Sequence, residues 1–372
     1  MATKAGLRAA VAAVLMAGMI PASAQDRDLD LMNSGKDTLG KPAPELISAG
    51  WVGSPVTLRG VKGNLVVLNF WNSDTAYFSS PEYFIKGMMA DYEKYCRTPN
   101  ITFVSICRSM TASMRQVERD VQQYKLNPIP TMLDAGGATA KAYKIPKEYS
   151  SWVVVIDHEG KIVYNRNKGW FWSSGPDKDK LVHHTMIEEN QKRAPGILDR
   201  KFMPADASSA AHLYDLQQFL LAEVEIKKME GKKSSEEMKT FASYMREAIA
   251  DTRKKRLDEI QQMVSAEPIH AYREAVAFVA AFPAAPERVT MNDIGKSLLK
   301  NPAVKTELQA EDAYRRVLLP ELARTPKGSA EFAARVQPAL DGYMKVYGST
   351  EYAAAVSDGV EGYKMAAATR SR

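Results

Sequence analysis

The side chains best suited to covalent chemistry in this chain of 372 residues are its two thiols, Cys96 and Cys107. A third place has the shape of a thiol site and lacks the thiol. Leu65-Val66-Val67-Leu68-Asn69 reads as a buried strand, Phe70–Ser80 as the turn that follows it, and Pro81 as the start of a helix. A helix N-terminus placed just after a strand lowers a cysteine pKa and so makes a nucleophile. No cysteine occurs between Trp71 and Tyr95. Thiol–disulfide exchange needs one thiolate to attack and a second to resolve, and a hydroxyl such as Ser73 or Thr75 does not replace either. The two cysteines present are not expected to serve as a pair. Cys96 ends the first helix and Cys107 lies at the far end of the next strand, about 20 Å away at the usual rise per residue, whereas a disulfide needs Cα atoms within about 7 Å. Cys107 stands at the same sheet edge as the turn. It reads either as a small buried hydrophobe or as a single reactive thiol.

Other residues could bind. His183, His184, Glu188 and Glu189 lie on a predicted helix, where His184 and Glu188 share a face. Two such groups could supply part of a metal site. The expectation is nonetheless a solvated face with an ordinary His–Glu pair, and no metal or other cofactor is expected. His158 falls in a hairpin turn and is expected to be exposed. Trp170, Phe171 and Trp172 sit between Gly169 and Gly175. They form either an aromatic patch for a peptide or glycan, or a plug against another part of the chain.

The elements that must position these groups alternate between strand and helix. Gly40–Pro44 is an extended lead-in, since proline biases the residue before it away from helix. Trp51–Leu58 reads as two short strands around a Gly-Ser turn. Leu65–Trp71 is near-continuously apolar, as in a strand covered on both faces. Pro81 to about Tyr95 is a helix with a hydroxyl, a proline and an acid at its start. Ile101–Cys107 is a second strand, Ala112 to Tyr124 a helix, Thr131–Asp134 a short strand and Ala138–Tyr143 a short helix. Trp152–Asp157 and Lys161–Tyr164 form a hairpin, and Asp177 to Lys192 closes this half as a helix. The order implies a mixed sheet with helices on both faces.

Several motifs in this order carry a resemblance: Gly40-Lys41-Pro42-Ala43-Pro44, Val66–Trp71, Leu133-Asp134 with Ala140–Tyr143, and Ile156-Asp157 with Gly160–Tyr164. Residues 40 to 192 thereby resemble the thioredoxin fold, in particular TlpA/ResA-like proteins and the alkyl hydroperoxide reductase/thiol-specific antioxidant family. The resemblance implies a Cys-x-x-Cys site after the Phe-Trp pair. Counted from Phe70-Trp71, its cysteines fall on Thr75 and Phe78; counted back from Pro81, they fall on Ser73 and Ala76. The turn Ser73, Asp74, Thr75, Ala76, Tyr77, Phe78 is therefore a degenerate form of that site, with Asp74, Thr75 and Tyr77 left as contact groups. The resemblance also implies a cis-proline before the hairpin, and that position is Ser151 here. Loss of both features points to a redox-inactive derivative.

From about Asp206 the strand-like runs end. Ala, Lys, Glu, Leu and Met dominate, in predicted helices at 208–230, 234–265, 269–281, 292–300, 304–322, 330–347 and 351–367. These imply an all-α bundle or helical-pair domain, and Ser234-x-x-Glu237 reads as a capping box. The expected domains are 40–195, thioredoxin-like, and 206–372, α-helical. Residues 25–39 are expected to be a flexible leader. Residues 1–24 read as a bacterial-type signal peptide: Lys4 and Arg8, an apolar run from Ala9 to Ile20, then Ala22-Ser23-Ala24. Cleavage there leaves no stable transmembrane anchor and lowers the net charge from +6 to about +4. Such a diffuse charge, without a basic tract interleaved with aromatics, disfavours nucleic acid. The composite expectation is a periplasmic or secreted binding or scaffold protein of the cell envelope with protein partners. The alternative is a thiol oxidoreductase or peroxiredoxin-like antioxidant acting through Cys107.

Overall fold

The computed structural model describes residues 35–73, 81–109, 112–146, 151–167, 182–325 and 330–368. The expected signal peptide, residues 25–34 of the leader, the turn residues Asp74, Thr75, Ala76, Tyr77 and Phe78, and the aromatic group Trp170, Phe171 and Trp172 lie outside them. The end of the expected flexible leader is instead ordered, with a short 3-10 helix at Lys36–Thr38 whose Thr38 hydroxyl accepts from Asn165.

Among the described residues the strands form one six-stranded mixed sheet. They are β1 (Trp51–Val52), β2 (Leu65–Trp71), β3 (Ile101–Ser109), β4 (Thr131–Ala135), β5 (Ser151–Ile156) and β6 (Ile162–Asn167), in the order β1-β4-β3-β2-β5-β6. β2, β3 and β4 run parallel; β5 is antiparallel to β2, and β6 to β5. Every residue of β2 is buried, which explains its unbroken apolar run. Successive side chains enter opposite layers. Leu65, Val67 and Trp71 pack with Phe103, Cys107, Val153 and Val155 on one face. Val66, Leu68 and Phe70 pack with Val104, Ile106, Trp152 and Val154 on the other.

The first face is covered by α1 (Pro81–Tyr95), α2 (Met114–Gln123) and α4 (Val182–Gln191), through Ile85, Met88, Tyr92, Val117, Val121 and Ile187. The second is covered by the short α3 (Ala138–Ala142), with its flanking Tyr143, and by the chain before β2. Asn165 of β6 ties this layer together: it accepts from Trp152 Nε1 at 2.5 Å and donates to the Tyr143 carbonyl at 2.8 Å. The expected second strand at 56–58 does not form. Pro55 lacks a donor, and the Glu45 carboxylate takes the amides of Leu58 and Arg59 at 3.0 Å each, which turns the chain instead.

The helical half contains α5 (Ser208–Asp215), α6 (Phe219–Met229), α7 (Glu236–Ala266), α8 (Pro268–Ala281), α9 (Arg288–Leu298), α10 (Pro302–Ala313), α11 (Leu319–Arg324), α12 (Ala330–Tyr347) and α13 (Glu351–Ala368). Three expectations are corrected. The single helix 208–230 is broken at Leu216-Gln217-Gln218, where Gln217 has φ 59°. The helix 304–322 contains a π turn at Tyr314–Leu318, immediately before Pro320 lies in α11. The cap of α7 is Ser235, accepting from Met238 N at 3.2 Å, one residue beyond the expected Ser234.

Apolar packing divides this half. Residues of α5–α9 share a cluster of their own, built on Phe219, Met245, Ile249, Phe278 and Phe282. Residues of α10–α13, including Leu322, Val336, Leu340 and Val356, join the cluster on the first face of the sheet. The contact is close: a Cβ on Gly136, in the turn before α3, would stand 2.7 Å from Val356 Cγ2. Arg315 also donates to the Ala49 carbonyl at 2.9 Å.

The α5–α6 break is fastened to the sheet by a buried carboxylate. Asp215 accepts from Asn100 N at 3.1 Å and Asn64 Nδ2 at 3.4 Å, and it pairs with Arg200. Its own carbonyl accepts from Thr102 Oγ1 at 2.7 Å. Gln217, next along, accepts from the buried Arg256, whose guanidinium lies 5.7 Å from the Phe219 ring centre and 5.9 Å from that of Phe282.

Because α10–α13 share their core with the sheet, the two should unfold together. All five tryptophans lie between residues 51 and 172. Leu322→Ala, at a fully buried site in α11, should cost about 2–5 kcal/mol. It should lower the urea midpoint equally by tryptophan fluorescence and by far-UV circular dichroism. A fluorescence midpoint that stays put while the dichroism falls early would show two independent units.

Candidate functional site

The C-terminal edge of β2 and β3 is where an open α/β sheet places its site. β2 ends at Trp71, which is paired with Cys107 on one side and Ser151 on the other. The indole is buried and its Nε1 donates to Ser105 Oγ at 2.8 Å, so the ring lies under the edge and the chain leaves the sheet above it. Asn72 is buried and Ser73 half-buried, and the Ser73 hydroxyl is a buried group with no hydrogen-bond partner among the described residues. α1 then begins at Pro81, as its sequence implies. Ser151, the position of the implied proline, opens β5 directly across from Trp71. Ser73 thus follows this tryptophan by two residues, and Ser151 pairs with it across the sheet.

Cys107 is at this edge but inside it. It is 0% exposed and belongs to the apolar cluster of the first face. Its side chain presents no surface to solvent. Cys96 is half-buried beyond the end of α1, and the two cysteines do not form a disulfide.

A buried acid completes the edge. Asp134 on β4, in register with Arg108 on β3, accepts from the amides of Thr139 and Ala140 at 2.9 Å each. Its carboxylate thereby caps the first turn of α3. Burial raises its pKa from 3.8 to about 6; the amides and the Arg108 charge oppose the rise. The sequence shows Leu133-Asp134 as part of a strand but not that the acid is wholly enclosed. The Gly136-Gly137 pair, both at positive φ, is the local signal, because it turns the chain back so that α3 starts over the carboxylate.

Where α1 meets α4 the structure departs from the expected solvated histidine face. His183 is 1% exposed, not solvated, and Asp91 of α1 (3%) lies between it and His184 (14%). His183 Nε2 is 3.1 Å from Asp91 Oδ2, and His184 Nε2 is 2.8 Å from Oδ1. Glu188 does not pair with His184. It accepts from Tyr95 at 2.9 Å and meets Lys94 at 3.0 Å, while Glu189 is exposed. Nothing in the sequence links Asp91 to these histidines, which are 92 and 93 residues away. His158 is half-buried instead of exposed.

Asp134 supplies a pH test. Folded, it keeps its proton to about pH 6; unfolded, it loses it near 3.8. Between these values the folded chain binds more protons, so the contribution of Asp134 to stability falls as pH rises from about 4 to about 6 and is level above. Asp134→Asn removes that dependence. The unfolding free energy of the wild type minus that of the variant should drop by on the order of 1–3 kcal/mol across the window in urea titrations. A difference that does not change with pH would contradict the assignment.

Comparison with known proteins agrees with this topology. Residues 39–165 match the AhpC/TSA family. Among solved structures the chain is similar to the thioredoxin domain of a thiol-disulfide oxidoreductase from Bacteroides vulgatus, at 18% identity and TM-score 0.31 over 41% of this chain and 97% of that one. It is also similar to a thiol:disulfide interchange protein of the thioredoxin family from Chlorobium tepidum, at 18% identity and TM-score 0.30 over 40% and 95%. No curated protein matches the chain. With strand order, register and the match over residues 39–165 in agreement, the sheet and its covering helices form a thioredoxin-like domain similar to the AhpC/TSA family, followed by a helix-rich C-terminal region.

Proposed function

We propose that this protein is an exported, redox-inactive member of the thioredoxin-like group that binds or scaffolds protein partners in the cell envelope. The observation that carries this reading is chemical. The turn after Trp71 and the whole of α1 contain no cysteine, and Cys107, the sulfur nearest the edge, is sealed in the core. The scaffold persists without the group that performs exchange. By residue type, Ser73, Asp74, Thr75 and Tyr77, which follow Trp71 in the sequence, suit hydrogen bonding better than electron transfer.

The helical region supports a binding role. Leu220, Leu221 and Val224 are exposed on α6 although they are large and apolar. Residues 220 and 224 are one turn apart and share a face. Export to the periplasm or beyond follows in this proposal from the charged, apolar and small-residue pattern of residues 1–24. No described helix is long and apolar enough to cross a membrane.

Two measurements test the reading. The purified protein should fail to reduce insulin in the presence of dithiothreitol above the uncatalysed rate, and a sulfenic-acid trap after peroxide should not label Cys107. Cys107→Ser should leave both results unchanged. Insulin turnover or peroxide consumption that Cys107→Ser abolishes would instead establish a thiol enzyme. Crosslinking in intact cells should recover protein partners, and Leu221→Asp should weaken their capture by at least about tenfold, a loss of about 1.4 kcal/mol.

A further inference from the structure

Asp91, His183 and His184 form the densest group of ligand-type side chains among the described residues. One oxygen and two imidazole nitrogens, one donor from each residue, all lie within 4.8 Å of one another. Two elements far apart in sequence supply them. α1 and α4 lie on the same face of the sheet, where Ile85, Met88 and Tyr92 of one and Ile187 of the other enter a common apolar cluster. That packing brings the carboxylate of Asp91 between two consecutive histidines whose ring centres are 4.4 Å apart.

Consecutive helical residues point about 100° apart. For both rings to reach one carboxylate, each must turn toward it, and the structure has them so turned. Asp91 and His183 are almost wholly desolvated, whereas His184 retains a solvent edge. Burying a carboxylate and an imidazole is costly unless each is partnered or bound to a metal.

We propose that Asp91, His183 and His184 are a binding site for a divalent transition metal of the zinc class. The donor set is right: imidazole and carboxylate are zinc ligands with bond lengths of about 2.0–2.2 Å, and three protein ligands with a fourth position left to water is the open form of a zinc site. Tetrahedral ligands at those bond lengths are about 3.3 Å apart. The separations of 3.1 Å to His183 and 2.8 Å to His184 are to different oxygens of Asp91, and one oxygen with the two nitrogens, now within 4.8 Å of one another, must draw together to reach that spacing. The solvent edge of His184 gives the ion its way in and the water its place.

The surroundings fit the proton accounting. His184 Nδ1 is 3.2 Å from Lys94 Nζ, so in the metal-free form it accepts from the ammonium while Nε2–H donates to Asp91. When Nε2 ligates the metal, the single imidazole proton must relocate from Nε2 to Nδ1 by exchange with solvent, so that the ring stays neutral. Lys94 then turns to Glu188, which it already meets at 3.0 Å. Tyr95, edge-on to the His184 ring at 5.5 Å, limits the swing of the imidazole.

The experiment uses the full mature chain without a histidine tag, stripped with chelator and titrated with Zn2+ by calorimetry and with Co2+ by visible absorption. One equivalent should bind per chain, and the Co2+ form should show ligand-field bands of a four- or five-coordinate site. Zn2+ should raise the thermal midpoint in proportion to the logarithm of its concentration above the Kd. His184→Ala, at the solvent edge, and Asp91→Asn, which preserves shape, should each weaken binding at least about 100-fold and abolish the thermal shift. Glu189→Gln, exposed on the same helix, should not. Should either variant fail to show a native dichroism spectrum, the other decides. No saturable binding by the wild type, or binding unaltered in a folded variant, would overturn the proposal and leave a hydrogen-bonded His–Asp–His group.

Discussion

A carboxylate with no access to water constrains the whole arrangement. Asp215 is wholly buried where the break between α5 and α6 meets the start of β2 and β3, and its pKa is pushed up to about 6 by burial. It is tolerable there only because Arg200, the Asn64 amide and the Asn100 backbone N–H converge on it. Those partners come from the sheet and from the segment leading into the helical region. Removing either contributor leaves a desolvated charge unpaired, so this contact obliges the two to stay together. Thr102, bonded to the Asp215 carbonyl, and Arg256, bonded to Gln217, extend the same requirement into β3 and α7.

The sheet edge follows a different logic. A thioredoxin-like edge exists to hold a sulfur at a helix start. Here the edge keeps its mechanical parts: the Trp71 indole anchored on Ser105, the strand pairing of Ser151 with Trp71, and the capping carboxylate of Asp134. Cys107 is the only cysteine in the described strands, and it packs in the apolar cluster of the first face. The described part of the edge is maintained by burial and hydrogen bonding. The Asp91–His183–His184 group lies off this edge, between α1 and α4, and owes its existence to the same sheet, which packs those helices side by side.

The apolar run of β2, the hairpin of β5 and β6 and the start of α1 at Pro81 follow from periodicity and turn chemistry, which act over a few residues. The misreadings are equally physical. Val56–Leu58 has strand-like residues, but Glu45 captures its amides. Gln217 has no helix-breaking signature, yet the chain turns there because Gln217 and Asp215 are needed at an interface. His183 looks like a surface residue of a polar helix and is buried against Asp91.

The amino-acid sequence by itself determined the thioredoxin-like order of strands and helices, the absence of a dithiol after Trp71 and the helical character beyond residue 206. These depend on composition and on short-range pattern, which every stretch of chain carries with it. Only the tertiary structure decided that Cys107 is sealed, that α10–α13 lie on the sheet, and that a carboxylate of α1 meets two histidines of α4. Each of these rests on which groups share a desolvated space. That is settled by partners tens to hundreds of residues away, not by neighbours along the chain.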